Sequence, residues 1–237
     1  MKKFSILFII LSLFACSETP KDLIVKTNIK GLKKGTVYLK RVIDTVMVTV
    51  DSIVVNGNSE FELYADLDEP DLLFLDLDKN SKEEDRISFF ADKGIIEINT
   101  SLKNFVTDAK IKGSEHQKVL EDYQELMSRL NNRNLDLIKE SFEAGKSGDT
   151  AAINSVEKKQ VSLIRNRYLQ TVNFALNHSD SEVAAYLALS EIYDANNHLL
   201  DTIHKSLTPK IKDSKYGKEL RKFLEARKKN EAEQKKP

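Results

Sequence analysis

One thiol is available to the chemistry of this chain. Cys16 is the only cysteine among 237 residues, so no Cys-x-x-Cys redox pair exists and no disulfide can form within one copy. Its setting is specific: Leu13-Phe14-Ala15-Cys16 ends a short apolar run that follows Met1-Lys2-Lys3. A basic start, a short apolar core and a small residue before the cleavage point fit an export signal. Leu three positions before the cysteine and Ala just before it mark Cys16 as an acyl acceptor that becomes the first residue of the mature chain. Residues 4–14 are too few to cross a membrane as a helix, which takes roughly 20 apolar residues. Two or three acyl chains, at about 0.8 kcal/mol per buried methylene, hold a protein on a membrane almost permanently. With its sulfur acylated, the mature chain keeps no free thiol.

The other chemistry-bearing residues are less organised. Asp76-Leu77-Asp78-Lys79-Asn80 places oxygens at alternating positions, as a calcium loop begins. Ser81 then stands where glycine is needed and Ile87 where a bidentate glutamate is needed, so a solvated hairpin tip over residues 76–85 is the preferred reading. Four histidines, His116, His178, His198 and His204, are dispersed. His198 and His204 are six apart, which on a helix puts them on different faces, and helical zinc sites favour spacings of three or four. All four read as scattered surface histidines, and no metal ligand or cofactor site is assigned. There is no Gly-x-Ser-x-Gly elbow, His-Glu-x-x-His pair or phosphate-binding glycine loop, so no catalytic residue is assigned either. Asp66 and Asp68 read as solvent-facing acids of a strand. Lys33-Lys34 and Arg227-Lys228-Lys229 lack the interleaved aromatics of a nucleic-acid platform.

The elements that must position these residues fall into two halves. From residue 22 to about 112 the apolar period is two. Strand candidates are 23–29, 35–40, 46–50 continuing through 53–55, a segment around Phe61 and Leu63, 72–75, 87–91, 95–98 and 105–111. Asn56-Gly57 is a strong turn pair, and Lys93-Gly94 reads as another hairpin. With no helical pattern between the strands, a parallel sheet is not expected. Adjacent Phe89 and Phe90 must point to opposite faces of their strand. Phe74 and one of this pair are read as sandwich core, the other as a helix–sheet contact or a groove.

At Gly113-Ser114 the period changes to helical. Ser114 with Gln117 forms a capping box. A long helix follows with Val119, Leu120, Tyr123, Leu126, Met127, Leu130, Leu137 and Ile138 on its inner stripe. A break at residues 145–149 lets Asp149 cap a second long helix, with Ile153, Val156, Leu163, Ile164, Val172 and Ala175 inward, and the two pack as an antiparallel hairpin. Ser179 and Glu182 read as a further capping box, Asn196 or Asn197 opens a shorter helix, Thr208-Pro209 stops it, and a last helix carries Leu220, Phe223 and Leu224 inward. The fold class is therefore α+β: an N-terminal antiparallel β-sandwich or open barrel, then a helical domain with a long hairpin. The division is 1–15 signal peptide, 16–21 lipidated tether, 22–113 β domain, 114–229 helical domain and 230–237 disordered tail.

Charge adds little. The chain has 37 basic and 37 acidic residues; loss of Lys2 and Lys3 leaves 35 against 37. Near-neutrality gives no reason to expect nucleic acid or an acidic polymer as partner.

Several stretches carry a family resemblance. They are Ile29-Lys30-Gly31-Leu32, Gly35-Thr36-Val37-Tyr38-Leu39, Val50-Asp51-Ser52-Ile53-Val54-Val55, Phe61-Glu62-Leu63, Glu69-Pro70, Phe89-Phe90 with Gly94-Ile95-Ile96-Glu97-Ile98, and Lys112-Gly113-Ser114. In the helical half they are Ser181-Glu182-Val183-Ala184-Ala185-Tyr186-Leu187 and Ser214-Lys215-Tyr216-Gly217. With Cys16, the chain resembles a Bacteroidetes lipoprotein similar to the N-terminal region of secreted thioredoxin-like thiol-disulfide oxidoreductases. In that group a domain of unknown function and a helical segment precede the thioredoxin fold. This chain stops at Pro237, where the thioredoxin fold would begin, so the resemblance transfers no redox residue. It implies a membrane-anchored, non-catalytic envelope binding or accessory lipoprotein. The expected location is the outer membrane facing the periplasm, with surface display as the alternative. The expected partners are the membrane, through the lipid, and an envelope protein. Two alternatives stand beside it: an accessory of a separate thioredoxin-like oxidoreductase, and an enzyme with an unrecognised site.

Overall fold

Alternation in β1 (Leu23–Lys30) turns Leu23, Val25, Thr27 and Ile29 to one side, each at most 3% exposed. The same alternation recurs in β4 (Glu60–Ala65) and β7 (Gly94–Ser101); the other strands are β2 (Lys34–Ile43), β3 (Val46–Asn56), β5 (Asp71–Asp76), β6 (Ile87–Ala91) and β8 (Lys110–Lys112). The computed structural model describes residues 21–78 and 80–234. Cys16 and the residues 1–15 expected to be a signal peptide lie outside the described residues.

The strands form two four-stranded sheets, ordered β4-β1-β7-β8 and β3-β2-β5-β6. They face each other as a sandwich that does not close into a barrel, around Leu39, Leu63, Leu73, Leu75, Phe89 and Ile98. One pair departs from the antiparallel expectation. β1 and β7 run parallel, from Leu23 opposite Gly94 to Lys30 opposite Ser101. A parallel pair needs a long crossover, usually a helix; here β2–β6 supply it, and all of them except β4 belong to the opposite sheet. The Lys93-Gly94 hairpin reading is corrected for the same reason. β6 pairs with β5 and β7 with β1, so this turn carries the chain between sheets. Asn56-Gly57 also joins strands of different sheets, with Gly57 at φ +94. The last strand is only Lys110–Lys112. Residues 102–109 turn instead, pinned by the Thr100 hydroxyl donating to the Phe105 carbonyl at 2.6 Å.

Six helices follow: α1 (Glu115–Ser147), α2 (Thr150–Asn177), α3 (Glu182–Ser190), α4 (Asn197–Ser206), α5 (Pro209–Lys212) and α6 (Lys215–Gln234). Gly148 in the left-handed region ends α1, and the Asp149 carboxylate caps α2 by accepting from the Ala151 and Ala152 amides. α1 and α2 form the expected hairpin, each about 40–50 Å long at 1.5 Å per residue. Asn196 caps α4, and Thr208 with Pro209 both ends α4 and starts α5. α6 continues through residues 230–234, which the sequence reading left in the tail.

Three details differ from the sequence reading. Ser114 caps α1 through the Gln117 amide, but the Gln117 side chain does not return to close the box; its Oε1 accepts from the Phe90 amide at 2.9 Å. Ser181, not Ser179, caps α3, which frees Glu182 for another partner. Leu126, Ile138 and Ile164, expected inward, are 44%, 52% and 50% exposed, because the two-helix arm has one seam and nothing further covers it there.

The helical core gathers Leu120, Tyr123, Val183, Leu187, Ile203 and Leu220, and takes in Leu72 and Phe90 from the second sheet. β5 is thus covered on both faces, which explains the unbroken apolar run Leu72 to Leu75.

Candidate functional site

The joint between sandwich and helices is built on His116, in the first turn of α1. Its Nδ1 meets Asp92 Oδ1 and its Nε2 meets Glu182 Oε2, both at 2.5 Å. Asp92 lies in the turn between β6 and β7 and also accepts from the Glu115 amide at 2.7 Å and the His116 amide at 3.3 Å. Glu182 is the first residue of α3 and is 1% exposed. Both carboxylates therefore stand at helix N-termini, where the macrodipole favours negative charge. Burial alone would lower the His116 pKa, but the two acids outweigh it and raise it to about 9. Burial likewise pulls Asp92 upward, while His116 and Ser114 bring it down to about 2. At neutral pH His116 is an imidazolium, its two ring nitrogens directed at Asp92 and Glu182.

That state decides what His116 can do. Both ring nitrogens donate, so neither has a lone pair for base catalysis or a metal. The carboxylates bind opposite nitrogens and cannot converge on one ion. Among the described residues no group of three or more His, Cys, Asp or Glu could hold a metal.

A second clamp lies at the start of α6. The Lys215 amide donates to both Glu69 oxygens at 3.0 Å, and its ammonium donates to Asp71 at 2.7 Å and to the Val42 carbonyl at 3.2 Å. The Tyr216 hydroxyl donates to Asp71 at 2.8 Å and accepts from the Leu72 amide at 3.1 Å. Burial first, then Asp71, pushes the Tyr216 phenol far above its ordinary range. Between the clamps, Phe90 packs against Tyr186 at 5.2 Å and Tyr216 at 5.7 Å between ring centres.

Asp76 is fully buried rather than at a solvated tip. It pairs with Lys40 at 2.6 Å and lies 3.6 Å from the Arg86 guanidinium, so cations of the protein already hold it. Asp66 pairs with Lys21 at the surface. Lys228 pairs with Asp201, and Arg227 donates to the Tyr193 carbonyl. His178 stacks on Phe174 at 4.2 Å. His116 corrects the reading of four scattered surface histidines. Its partners lie 24 residues before and 66 residues after it, beyond any local pattern. Phe89 and Phe90 do split between the two cores, and Phe74 is half-buried beside the helical core instead of inside the sandwich.

The outer face of the first sheet offers a cleft of about 420 Å³ lined by Lys26, Asn28, Asn58, Glu60, Glu97 and Asn99. Across it Glu62, Lys26, Glu97 and Lys112 stand side by side on neighbouring strands, alternating in sign.

Fold and joint together define an α+β protein in which a two-sheet domain is riveted to a helical domain carrying a long arm. Residues 23–120, the β region with the start of α1, match the family model described as a domain of unknown function (DUF4369). No curated protein matches the chain. Among the described residues no helix is long and apolar enough to cross a membrane.

Proposed function

We propose that this chain is a non-catalytic accessory lipoprotein of the cell envelope, anchored through acylated Cys16 and presenting its sheet face and helical arm to a protein partner. The observation that supports the accessory reading is the His116 joint, which removes this histidine as a base. The one histidine clamped between two acids spends both nitrogens on fastening α1 and α3 to the sandwich. The anchoring part rests on the Leu13-Phe14-Ala15-Cys16 sequence. β1 begins at Leu23, seven residues beyond Cys16, so a tether at most ~25 Å long would keep the body close to the bilayer. The family resemblance makes a separate thioredoxin-fold protein the first partner to look for. Cross-linked capture from detergent-solubilised membranes at native expression tests the reading: a reproducible envelope partner supports it, and no reproducible partner contradicts it.

A further inference from the structure

A cleft of about 270 Å³ opens beside the joint. Asp68 and Lys93 wall it from the sandwich, and Glu182, Lys210 and Asp213 wall it from the helices. Some of these charges are already matched. Lys93 lies 3.3 Å from Asp22, and both oxygens of Glu69, on the same wall, accept from the Lys215 amide. Others are not. The side chains of Asp68, Asp213 and Lys210 are exposed and meet no partner among the described residues. Glu182 adds a buried acceptor. Its side chain is 1% exposed and its Oε2 meets His116, but Oε1 accepts from no described residue. A buried acceptor without a donor costs free energy. Because Glu182 lines the cleft, a ligand seated there can supply the missing donor. The N-termini of α3 and α6 border the same space and would by themselves draw an anion. The Val183, Lys215 and Gly217 amides are taken by Ser181, Glu69 and Ser214, which leaves the carboxylates to set the sign.

We propose that this cleft binds a small diamino acid, a ligand with two ammonium groups and one carboxylate. Charge sets the class. The unmatched groups are two carboxylates and one ammonium, Asp68, Asp213 and Lys210, and a diamino acid is their mirror image. One of its ammonium groups also reaches Glu182 Oε1. A metal ion does not fit the same acids: no group of three or more His, Cys, Asp or Glu among the described residues could hold one. The cation that spans them is therefore an extended, organic one. Volume sets the size. At about 30 Å³ per water the cleft has room for about nine waters, which suits a molecule of about ten heavy atoms. It is smaller than the roughly 300–1,000 Å³ of sites that take drug-sized ligands. Because its walls come from both domains, the bound ligand fastens the joint that His116 already holds.

Calorimetric titration of L-lysine into the full chain, solubilised in a non-ionic detergent at low ionic strength, tests this. One-site saturable binding is expected, with half-saturation on the order of 0.1–3 mM for a ligand of about ten heavy atoms. Norleucine lacks the second ammonium and cadaverine lacks the carboxylate, and each should bind about tenfold more weakly. L-Glutamate, of the wrong sign, should not bind. Asp68→Asn with Asp213→Asn should weaken L-lysine at least about tenfold. Lys210→Ala should erase the preference for L-lysine over cadaverine. All three side chains are exposed, so helical circular dichroism should not change in either variant. Absence of saturable L-lysine binding up to about 30 mM overturns the proposal. So does L-glutamate binding as tightly as L-lysine, an Asp68→Asn, Asp213→Asn chain that binds as wild type does, or a preference over cadaverine that survives Lys210→Ala.

Discussion

Phe89 and Phe90 are consecutive residues of one strand and belong to different cores. Phe89 is fully buried in the sandwich, and Phe90 is fully buried among Tyr186, Tyr216 and the helical core. The strand's period of two makes β6 the shared wall between the two domains.

Truncating either ring should therefore cost about 3–5 kcal/mol while loosening different parts of the molecule. Phe90→Ala should speed amide exchange in α3 and α6. Phe89→Ala should speed it in β1 and β7. Hydrogen exchange read by mass spectrometry checks this. The same exchange pattern from both variants would mean that the cores are not separate.

His116 is expected to tie stability to pH. Its pKa rises on folding from 6.5 to about 9, so its contribution is complete below pH 6.5 and is lost as pH climbs through about 9. Asp92 drops from 3.8 to about 2, so its share is present above pH 3.8 and is lost as pH falls through about 2. The advantage of wild type over His116→Gln in urea should be on the order of 3 kcal/mol near and below neutrality and should shrink steadily between pH 6.5 and about 9. His116→Ala, which strands the buried Glu182 carboxylate, should cost about 3 kcal/mol or more. A pH-independent difference between wild type and His116→Gln would remove the imidazolium from the account.

Gly113 and Gly57 offer a controlled pair. Both have positive φ, +100 and +94. A Cβ on Gly113 would fall 2.1 Å from the Ile95 carbonyl oxygen, whereas one on Gly57 meets nothing within 4 Å. Gly57→Ala should cost only the backbone term, about 1–2 kcal/mol. Gly113→Ala should cost clearly more, because the chain must also move away from β7. Thermal or urea unfolding of the two variants decides it, and equal costs would deny the close approach.

Much of this architecture is legible in the sequence where the signal is local. The two-residue period of β1 and the caps Asp149 and Asn196 each depend on a few neighbouring residues. What was not legible depends on partners distant in sequence. The parallel β1–β7 pair is closed by strands of the opposite sheet, so no crossover helix announces it. Gln117 abandons its capping box because the Phe90 amide, 27 residues away, needs an acceptor. Ile138 and Ile164 carry an inward pattern in sequence, yet the arm has only one seam to hide them. Asp76 reads as part of a solvated hairpin tip because Lys40, which holds it in the interior, is 36 residues away.

Metabolic labelling with a clickable fatty acid is the sharpest test of the proposal that lipid on Cys16 holds the body at a membrane. Wild type should carry the label and sediment with membranes, and Cys16→Ala should carry none. An unlabelled wild-type chain recovered from the soluble fraction would contradict the claim.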